Sequence, residues 1–201
     1  MSALLVLAPL RIEAAALRLP GARVLRTGMG AARARVAAAR ALAVEADAVV
    51  VAGVAGGVAP GLRAGDLVCA TELRAGGERI AVPSGALLAA ALREQGLRAH
   101  AGPIASVERL LGPAGRRALA GEGVLAVDME SAWLAGAAAG RRFAVVRAVA
   151  DPDGRRLADP RTLLEGARAL LALRRAVPVL AEWADAIEVS SPHVPVELLV
   201  S

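Results

Sequence analysis

Short apolar runs alternate with alanine-rich runs along nearly the whole chain. The apolar runs are typical of β-strands, whereas the alanine-rich runs contain strong helix formers. The most apolar run, AVVVA at residues 48–52, is typical of a strand that is buried on both faces. Because strands and helices alternate, the pattern predicts an α/β fold whose helices cover both faces of a mostly parallel sheet.

The same pattern predicts the positions of the individual elements. Strands are predicted at residues 4–8, 23–27, 48–52, 67–73, 79–82, 97–106, 124–127 and 143–150. Helices are predicted at residues 12–17, 31–44, 84–95, weakly at 108–120, from 131 onward, and at 160–187. Ser84 and Gly96 are residue types that cap the two ends of a helix, and Pro178 is expected to kink or split the last helix. No repeat or linker interrupts the pattern, so we predict one domain over residues 1–187 and a tail over 188–201.

Composition is consistent with this single domain. The chain has 201 residues, of which 56% are hydrophobic, and this is enough to bury one sizeable core. No apolar run reaches about 18 residues without a charge or a breaker, so we expect no membrane-spanning helix. The first residues lack a basic region and soon meet Glu13, which favours a strand and a helix over a signal peptide. The single cysteine, Cys69, cannot form an internal disulfide, so we expect a reducing, cytoplasmic location.

The formal net charge is +5, and every basic residue other than the two histidines is an arginine. A basic chain can bind nucleic acid, but these arginines are scattered and the few aromatic residues provide no stacking surface for bases. We therefore expect no nucleic-acid partner. A solvated arginine surface would still attract anionic lipid surfaces.

Three carboxylates stand at the ends of two predicted strands. Asp128 and Glu130 end one strand as an acid–Met–acid segment, and Asp151 ends the next. Ligands of open α/β sheets bind beyond the carboxyl ends of the strands. Glu130 and Asp151 are therefore candidate site residues, and the alternative is that they cap helices on a solvated rim.

Two glycine-containing segments also follow predicted strands. The segment TGMG at residues 27–30 precedes a helix, whose N-terminus can hold an anion. The segment GVAGG is predicted to be a loop in which backbone N–H groups approach a ligand closely. It comprises Gly53, Val54, Ala55, Gly56 and Gly57. Neither segment matches a complete phosphate-binding or dinucleotide-binding motif, and both are also compatible with ordinary turns.

Together these segments resemble the nucleoside phosphorylase superfamily, in particular its purine nucleosidase branch. The similar parts follow the family's order: Glu13, TGMG, VAGVAGG, APGLRAGDLV, VDMES and VRAVAD. The VDMES segment combined with the V-R-x-x-x-D strand is the specific part. The resemblance covers about residues 4–187 and implies a three-layer α/β/α fold with a mixed, mostly parallel central sheet.

The resemblance implies roles in the cleavage of a purine nucleoside. Asp151 would be the general acid that protonates or hydrogen-bonds N7 of the base, and Glu13 would orient and deprotonate the attacking water. Glu130 would bind the ribose hydroxyls, and Met129 would pack against the ribose. Arg147 is four residues before Asp151, on the same face of a regular strand, and could position Glu13 or Asp151. A structural ion pair is the alternative for Arg147.

Further residues join this candidate site by their neighbourhood. Asp128 would share the strand face of Glu130 if the strand continued past it. The segment at residues 53–56 would contact the substrate through its backbone. Arg11, Gly30 and Arg33 are the candidates for a phosphate site, which phosphorolysis would need. Glu13 would repel phosphate, so we favour hydrolysis by water.

Departures from the resemblance bear on the substrate. Methylthioadenosine nucleosidases usually have Ser at the position of Ala150 and a small polar residue at that of Val54. They also place an aromatic residue in the segment that here is GPIASVERLL. These losses suit an apolar pocket, and the VDMES form is most similar to the adenosylhopane nucleosidases of hopanoid biosynthesis. The resemblance therefore implies release of adenine from a 5′-substituted adenosine, with methylthioadenosine or S-adenosylhomocysteine cleavage as the alternative.

Other expectations concern partners and cofactors. No metal or organic cofactor is implied, and His100 and His193 match no metal-binding spacing. The resemblance implies a homodimer or a larger homo-oligomer. A lipid-like substrate would also bring the protein into contact with a membrane surface. The alternative of another class is a catalytically silent subunit that binds a nucleoside without cleaving it.

Overall fold

The computed structural model describes residues 3–151 and 160–186, so the predicted tail at 188–201 lies outside the described residues. The strands are β1 (Leu4–Ala8), β2 (Ala22–Arg26), β3 (Ala48–Gly57), β4 (Leu67–Ala75), β5 (Glu78–Ala81), β6 (Ala99–Ser106), β7 (Ala126–Asp128) and β8 (Arg142–Asp151). The α-helices are α1 (Arg11–Ala16), α2 (Ala31–Leu42), α3 (Gly85–Glu94), α4 (Pro113–Gly121), α5 (Ser131–Leu134) and α6 (Pro160–Asp185). A 3-10 turn at Ala135–Ala137 directly follows α5.

The strands form one mixed, mostly parallel sheet, as predicted. Their order is β2-β1-β3-β7-β6-β4-β5, and β8 pairs with both β3 and β4. Among the described residues, the antiparallel pairs are β3 with β7, β4 with β5 and β4 with β8. Since β8 joins β3 to β4, the strands β3, β8, β4, β6 and β7 close into a ring. The sequence pattern contains no signal for this closure, because it depends on pairing between strands that are distant in the chain.

Both faces of the sheet are buried. Along β1, Leu4, Val6 and Ala8 enter one hydrophobic core, whereas Leu5 and Leu7 enter the other. Helix α6 packs on the first face with α1 and α3, and α2 and α5 cover the second. This alternation explains why the run of residues 4–8 is apolar at every position.

The prediction of a loop at residues 53–57 was wrong, because β3 continues through Gly57. This part of β3 pairs with β8 on one side and, at Gly56 and Gly57, with β7 on the other. Gly53 is needed for close packing and not for a turn. A Cβ atom at Gly53 would lie 2.5 Å from Nη1 of Arg147 and 2.8 Å from Oε1 of Glu13.

The prediction that Arg147 and Asp151 share a strand face was also wrong. Arg147 lies opposite Gly53 and Val149 opposite Ala55, but Asp151 lies opposite Gly56. The extra residue is a β-bulge, which reverses the alternation of side chains beyond it. Arg147 and Asp151 therefore point in different directions and have different ionic partners.

Two predicted features of the helices can be compared with the structure. Helix α6 continues through Pro178, so this proline does not split it. Ser84 precedes α3, but its hydroxyl donates to the carbonyl of Phe143 at 2.6 Å and does not cap the helix. Gly96 has φ +71°, as expected for the residue after a helix. Within the described residues, no helix is long and apolar enough to cross a membrane.

Candidate active site

Glu13 lies at the start of α1, directly after β1, and is buried. Its carboxylate accepts hydrogen bonds from the backbone N–H of Leu10 at 2.6 Å and from that of Val54 at 2.7 Å. One oxygen is therefore fixed by its own helix and the other by β3. This places a rigid carboxylate against the segment at residues 53–56 that was predicted to contact a ligand.

Arg147 is fully buried on β8 and lies among three carboxylates. Its Nε donates to Oδ2 of Asp128 at 2.7 Å, and its Nη2 donates to Oε2 of Glu130 at 3.4 Å. Burial by itself would lower the pKa of Arg147, but the charges of Asp128, Glu130 and Glu13 raise it above its ordinary value. Nη1 has no hydrogen-bond partner among the described residues. The guanidinium therefore positions Asp128 and Glu130, and its Nη1 is not used in a hydrogen bond to a described residue.

Asp128 is the supporting acid at the end of β7. Its Oδ1 accepts hydrogen bonds from Ser106 Oγ at 2.6 Å and from the N–H groups of Glu130 and Ser131 at 3.1 Å. Burial would raise the pKa of Asp128, but Arg147 and these hydrogen bonds hold it below its ordinary value. With Arg147 on Oδ2, the acceptor positions of this carboxylate are largely occupied, so Asp128 orients its neighbours.

Glu130 is buried at the start of α5, two residues after Asp128. Its Oε1 accepts a hydrogen bond from the backbone N–H of Gly30 at 2.9 Å, which joins the TGMG turn to the VDMES segment. Burial raises the pKa of Glu130, the charge of Arg147 opposes this, and the nearby charges of Asp128 and Glu13 add to the rise. Met129 lies between the two acids and is partly buried.

Asp151 lies at the end of β8 and pairs with a residue that the sequence pattern did not single out. Nη2 of Arg116, on α4, donates to Oδ2 of Asp151 at 2.7 Å. Nη1 of Arg116 donates to the carbonyl of Gly57 at 3.0 Å and to that of Asp151 at 3.3 Å. The bulge in β8 turns Asp151 toward this arginine and away from Arg147.

The positive and negative charges in the buried cluster around Arg147 do not cancel. Glu13, Asp128 and Glu130 supply three negative charges when ionised, and Arg147 supplies one positive charge, so the sum is −2. A buried excess of negative charge favours a cationic group placed beside it and disfavours an anion. The cluster is therefore suited to stabilise positive charge that develops on a bound molecule.

The candidate phosphate residues do not form a comparable cluster. Arg11 and Arg33 are exposed, and Nη1 of Arg33 donates to the carbonyl of Met29 at 3.3 Å. The N–H of Gly30 already donates to Glu130. A phosphate bound at Gly30 would meet this carboxylate, so the geometry is more favourable to water.

The sequence pattern did not indicate Arg116, Ser106 or Ser131 as residues of the site. Ser131 follows Glu130 directly, so its capping position was a usable signal. Ser106 ends β6, which places it beside the end of β7. Nothing in the local sequence distinguishes Arg116 from the other arginines, because its role depends on contacts of α4 with β3 and β8.

With this geometry established, the chain can be assigned to a family. A model of the phosphorylase superfamily matches residues 22–186, and the chain belongs to that superfamily. No curated protein matches the chain.

Solved structures with the same fold cover nearly the whole chain. One is the 5′-methylthioadenosine/S-adenosylhomocysteine nucleosidase of Neisseria meningitidis in complex with methylthio-immucillin-A. It has 23% identity and a TM-score of 0.73, with coverage of 91% of this chain and 100% of that chain. The S-adenosylhomocysteine nucleosidase of Streptococcus pyogenes has 22% identity and a TM-score of 0.72, with coverage of 94% and 98%. The futalosine hydrolase of Helicobacter pylori has 18% identity and a TM-score of 0.72, with coverage of 90% and 97%.

Proposed function

We propose that this protein is a purine nucleosidase that hydrolyses the N-glycosidic bond of a 5′-substituted adenosine and releases adenine. The observation that supports this most strongly is the buried cluster in which three carboxylates surround Arg147. Cleavage of a glycosidic bond passes through a sugar with oxocarbenium-like positive charge, which such a cluster stabilises.

Each step of the reaction has a candidate residue. The bond between C1′ and N9 breaks, and its electron pair stays on the purine. A water oxygen bonds to C1′, one proton of that water passes to Glu13, and Asp151, as the general acid, gives a proton to the departing base. Glu130 accepts hydrogen bonds from the ribose hydroxyls, Met129 packs against the ribose, and Asp151 faces the base. Asp128 and Arg147 hold Glu130 in place through their hydrogen bonds.

For the 5′ substituent we propose a large apolar group, as in adenosylhopane, which would give the protein a role in hopanoid biosynthesis. The supporting feature is a set of large apolar side chains that are more than half exposed. It includes Ile12, Met29, Leu110, Leu163 and Leu164. Ile12 adjoins Glu13 in the chain, and Met29 adjoins Gly30, so two of these side chains are next to residues of the candidate site. Methylthioadenosine and S-adenosylhomocysteine remain the second candidate substrates, because nucleosidases for them have the same fold.

These exposed apolar side chains also motivate a proposal about partners. Large apolar side chains on a protein surface can be covered by another protein or by lipid. We propose that a second copy of the chain covers some of them in a homodimer. A membrane surface would contact others when a lipid-like substrate is withdrawn from it. Sedimentation of the pure protein measures dimer formation, and sedimentation with vesicles measures contact with a membrane surface.

The test of the activity is chromatographic detection of free adenine from three substrates. Adenosylhopane, methylthioadenosine and S-adenosylhomocysteine are each incubated with the pure protein, with and without phosphate. We expect release of adenine from adenosylhopane without phosphate. Release only with phosphate, as a sugar 1-phosphate, would identify a phosphorylase and direct attention to Arg11 and Arg33. Binding of the nucleosides without release from any of them would identify a silent nucleoside-binding subunit and overturn the proposal.

A further inference from the structure

We propose that a basic cleft between β2 and α2 binds a phosphate ester that carries an apolar group, at a site separate from the candidate active site. The cleft has a volume of about 500 Å³, which is in the range of small-molecule binding sites. Its lining includes Arg26 at the end of β2 and both Arg33 and Arg40 on α2. Neither Glu130 nor Gly30, whose N–H donates to Glu130, lines the cleft.

The three arginines of the basic cleft are not neutralised by acids. No carboxylate lines the cleft, and none of the three guanidinium groups forms an ion pair with another described residue. A second cleft differs in this respect, because beside Arg98, Arg168 and Arg175 it also contains Asp66, which pairs with Arg98 at 2.6 Å. Like charges that share one cleft repel one another, and an anion bound among them would offset that repulsion.

Arg33 has an unfavourable electrostatic position on its helix. It lies in the first turn of α2, where the partial positive charge of the helix disfavours a cation, and this turn contains no acid. Its side chain is nevertheless held over the preceding turn. Gly28 has φ +80° and leaves room for it, since a Cβ atom there would lie 2.7 Å from Cδ of Arg33, whose Nη1 donates to the carbonyl of Met29 at 3.3 Å. A bound anion would be stabilised by both the guanidinium and the start of the helix.

The basic cleft also has an apolar part. Arg40 lies on the same face of α2 as Arg33, because seven residues make about two helical turns. The apolar side chains that line the cleft with these arginines include Leu25, Val36 and Ala37. Arginine matches the geometry of phosphate oxygens, whereas the apolar side chains favour an apolar group next to the phosphate. A phosphate ester with an apolar group therefore fits the lining better than inorganic phosphate does.

An alternative is that the arginines only protect an open edge of the sheet. Within the described residues, β2 is the last strand at one edge and pairs with β1 alone. Charged side chains on such an edge prevent pairing with other chains. This role would account for Arg23 and Arg26 on β2, but not for Arg33 and Arg40 on α2. It also predicts that no phosphate ester binds, so a binding measurement distinguishes the two.

The experiment measures binding of three soluble probes by calorimetry: glycerol 3-phosphate, dihexanoylphosphatidylglycerol and dihexanoylphosphatidylcholine. The two short-chain lipids have the same apolar chains, but the choline group neutralises the phosphate of the last one. We expect dihexanoylphosphatidylglycerol to bind most tightly, and its binding to weaken as salt is added.

Matched double variants identify the residues that bind. Arg26→Gln combined with Arg40→Gln should weaken binding of dihexanoylphosphatidylglycerol about 100-fold, because each lost hydrogen bond to a charged group costs about tenfold in affinity. Arg117→Gln combined with Arg174→Gln removes the same charge from α4 and α6 and should resemble wild type. All four arginines are exposed, so circular dichroism should show the same unfolding transition for both double variants.

Sedimentation with phosphatidylcholine vesicles, with and without phosphatidylglycerol, identifies the source of the phosphate group. Binding to the anionic vesicles that requires Arg26 and Arg40 would assign a lipid head group, whereas binding of the soluble short-chain lipid alone would assign a soluble ester. Both results support the site. Equal binding of the two short-chain lipids, equal losses in the two double variants, or no binding of any probe would overturn it. None of these measurements involves adenine release, so the proposed function stands or fails separately.

Discussion

The Nε–H group of Arg147 donates a hydrogen bond to Asp128 at 2.7 Å, and neither side chain is exposed. Transfer of two charges from water into a protein interior is costly, and only close contact with further hydrogen bonds offsets that cost. Here Ser106 and the backbone N–H groups of Glu130 and Ser131 complete the coordination of Asp128. The pair therefore links the stability of the domain to the geometry of the candidate site.

Arg147→Met should lower the free energy of unfolding by about 3–5 kcal/mol, because Asp128 and Glu130 would remain buried without their cation. Urea denaturation followed by circular dichroism measures this change. Arg174→Met is the matched control, since Arg174 is exposed on α6 and its replacement should change stability by less than about 0.5 kcal/mol. Equal midpoints for the two variants would show that the buried ion pair contributes nothing to the fold.

Gly53→Ala should reduce nucleosidase activity strongly, although the change adds a single methyl group. The new Cβ would lie 2.5 Å from Nη1 of Arg147 and 2.8 Å from Oε1 of Glu13, so at least one of these groups must move. Since both are held by hydrogen bonds, we expect kcat to fall by about 100-fold, as is typical of small displacements in active sites. Gly166→Ala is the control, because a Cβ there would meet nothing within 4 Å. A normal kcat for Gly53→Ala would show that the reaction does not depend on the positions of Glu13 and Arg147.

Much of the fold could be predicted from the chain because the apolar runs are long and regular. The strand at residues 4–8 was predicted with its observed bounds, since every side chain of β1 enters one of the two cores. The continuation of β3 through Gly57 was missed because glycine is usually a sign of a turn. In this protein the small residues leave space for charged side chains, and local sequence contains no information about such distant neighbours.

Part of the candidate site could also be predicted from the sequence. Asp128 and Glu130 were indicated by their places at the end of a strand, whereas Glu13 and Arg147 were indicated mainly by the family resemblance. The structure brings all four together. Asp151 was singled out too, but the bulge after Val149 directs it elsewhere, and period-two alternation could not reveal this. Arg116 became recognisable only through its contacts with Asp151.

Cys69 should be unreactive toward Ellman's reagent in the folded protein at pH 8. Burial in the core raises the pKa of its thiol to about 12, although the charge of Arg93 opposes the rise. The thiolate, which is the reactive form, is therefore scarce and inaccessible. Absorbance should show one thiol per chain in urea and almost none without it, and Cys69→Ala should show none in either case. Rapid labelling in native buffer would contradict the packing of β4.

Asp66 should make the stability of the domain depend on pH. Burial would raise its pKa, but hydrogen bonds from Arg98, the Arg63 N–H and His100 lower it below its ordinary value. A carboxyl group with a lowered folded-state pKa stabilises the protein above its ordinary pKa, and this contribution is lost as the pH falls through the folded value. The difference in unfolding free energy between wild type and Asp66→Asn should therefore be largest near pH 7 and shrink toward pH 3. A difference that stays constant over this range would exclude Asp66 as a source of acid sensitivity.

Glu13→Gln tests the residue that would activate water. Glutamine has nearly the same shape but cannot accept a proton, so we expect kcat to fall by about 100- to 10,000-fold while substrate binding persists. Its amide also places an N–H₂ group against one of the N–H donors of Leu10 and Val54, so a stability loss of about 1–3 kcal/mol should accompany the change. Glu94→Gln is the control, because Glu94 lies at the exposed end of α3.

The two effects of Glu13→Gln can be separated by measuring kcat at temperatures well below the unfolding transition of the variant. There the folded fraction is complete, and any remaining loss of kcat reports on the chemistry of the water. Calorimetric binding of adenine at the same temperature shows whether the base side of the site is intact. Retention of both kcat and adenine binding would mean that another group deprotonates the water. Loss of adenine binding together with kcat would instead mean that Glu13 supports the shape of the site through β3, to which it is joined at Val54.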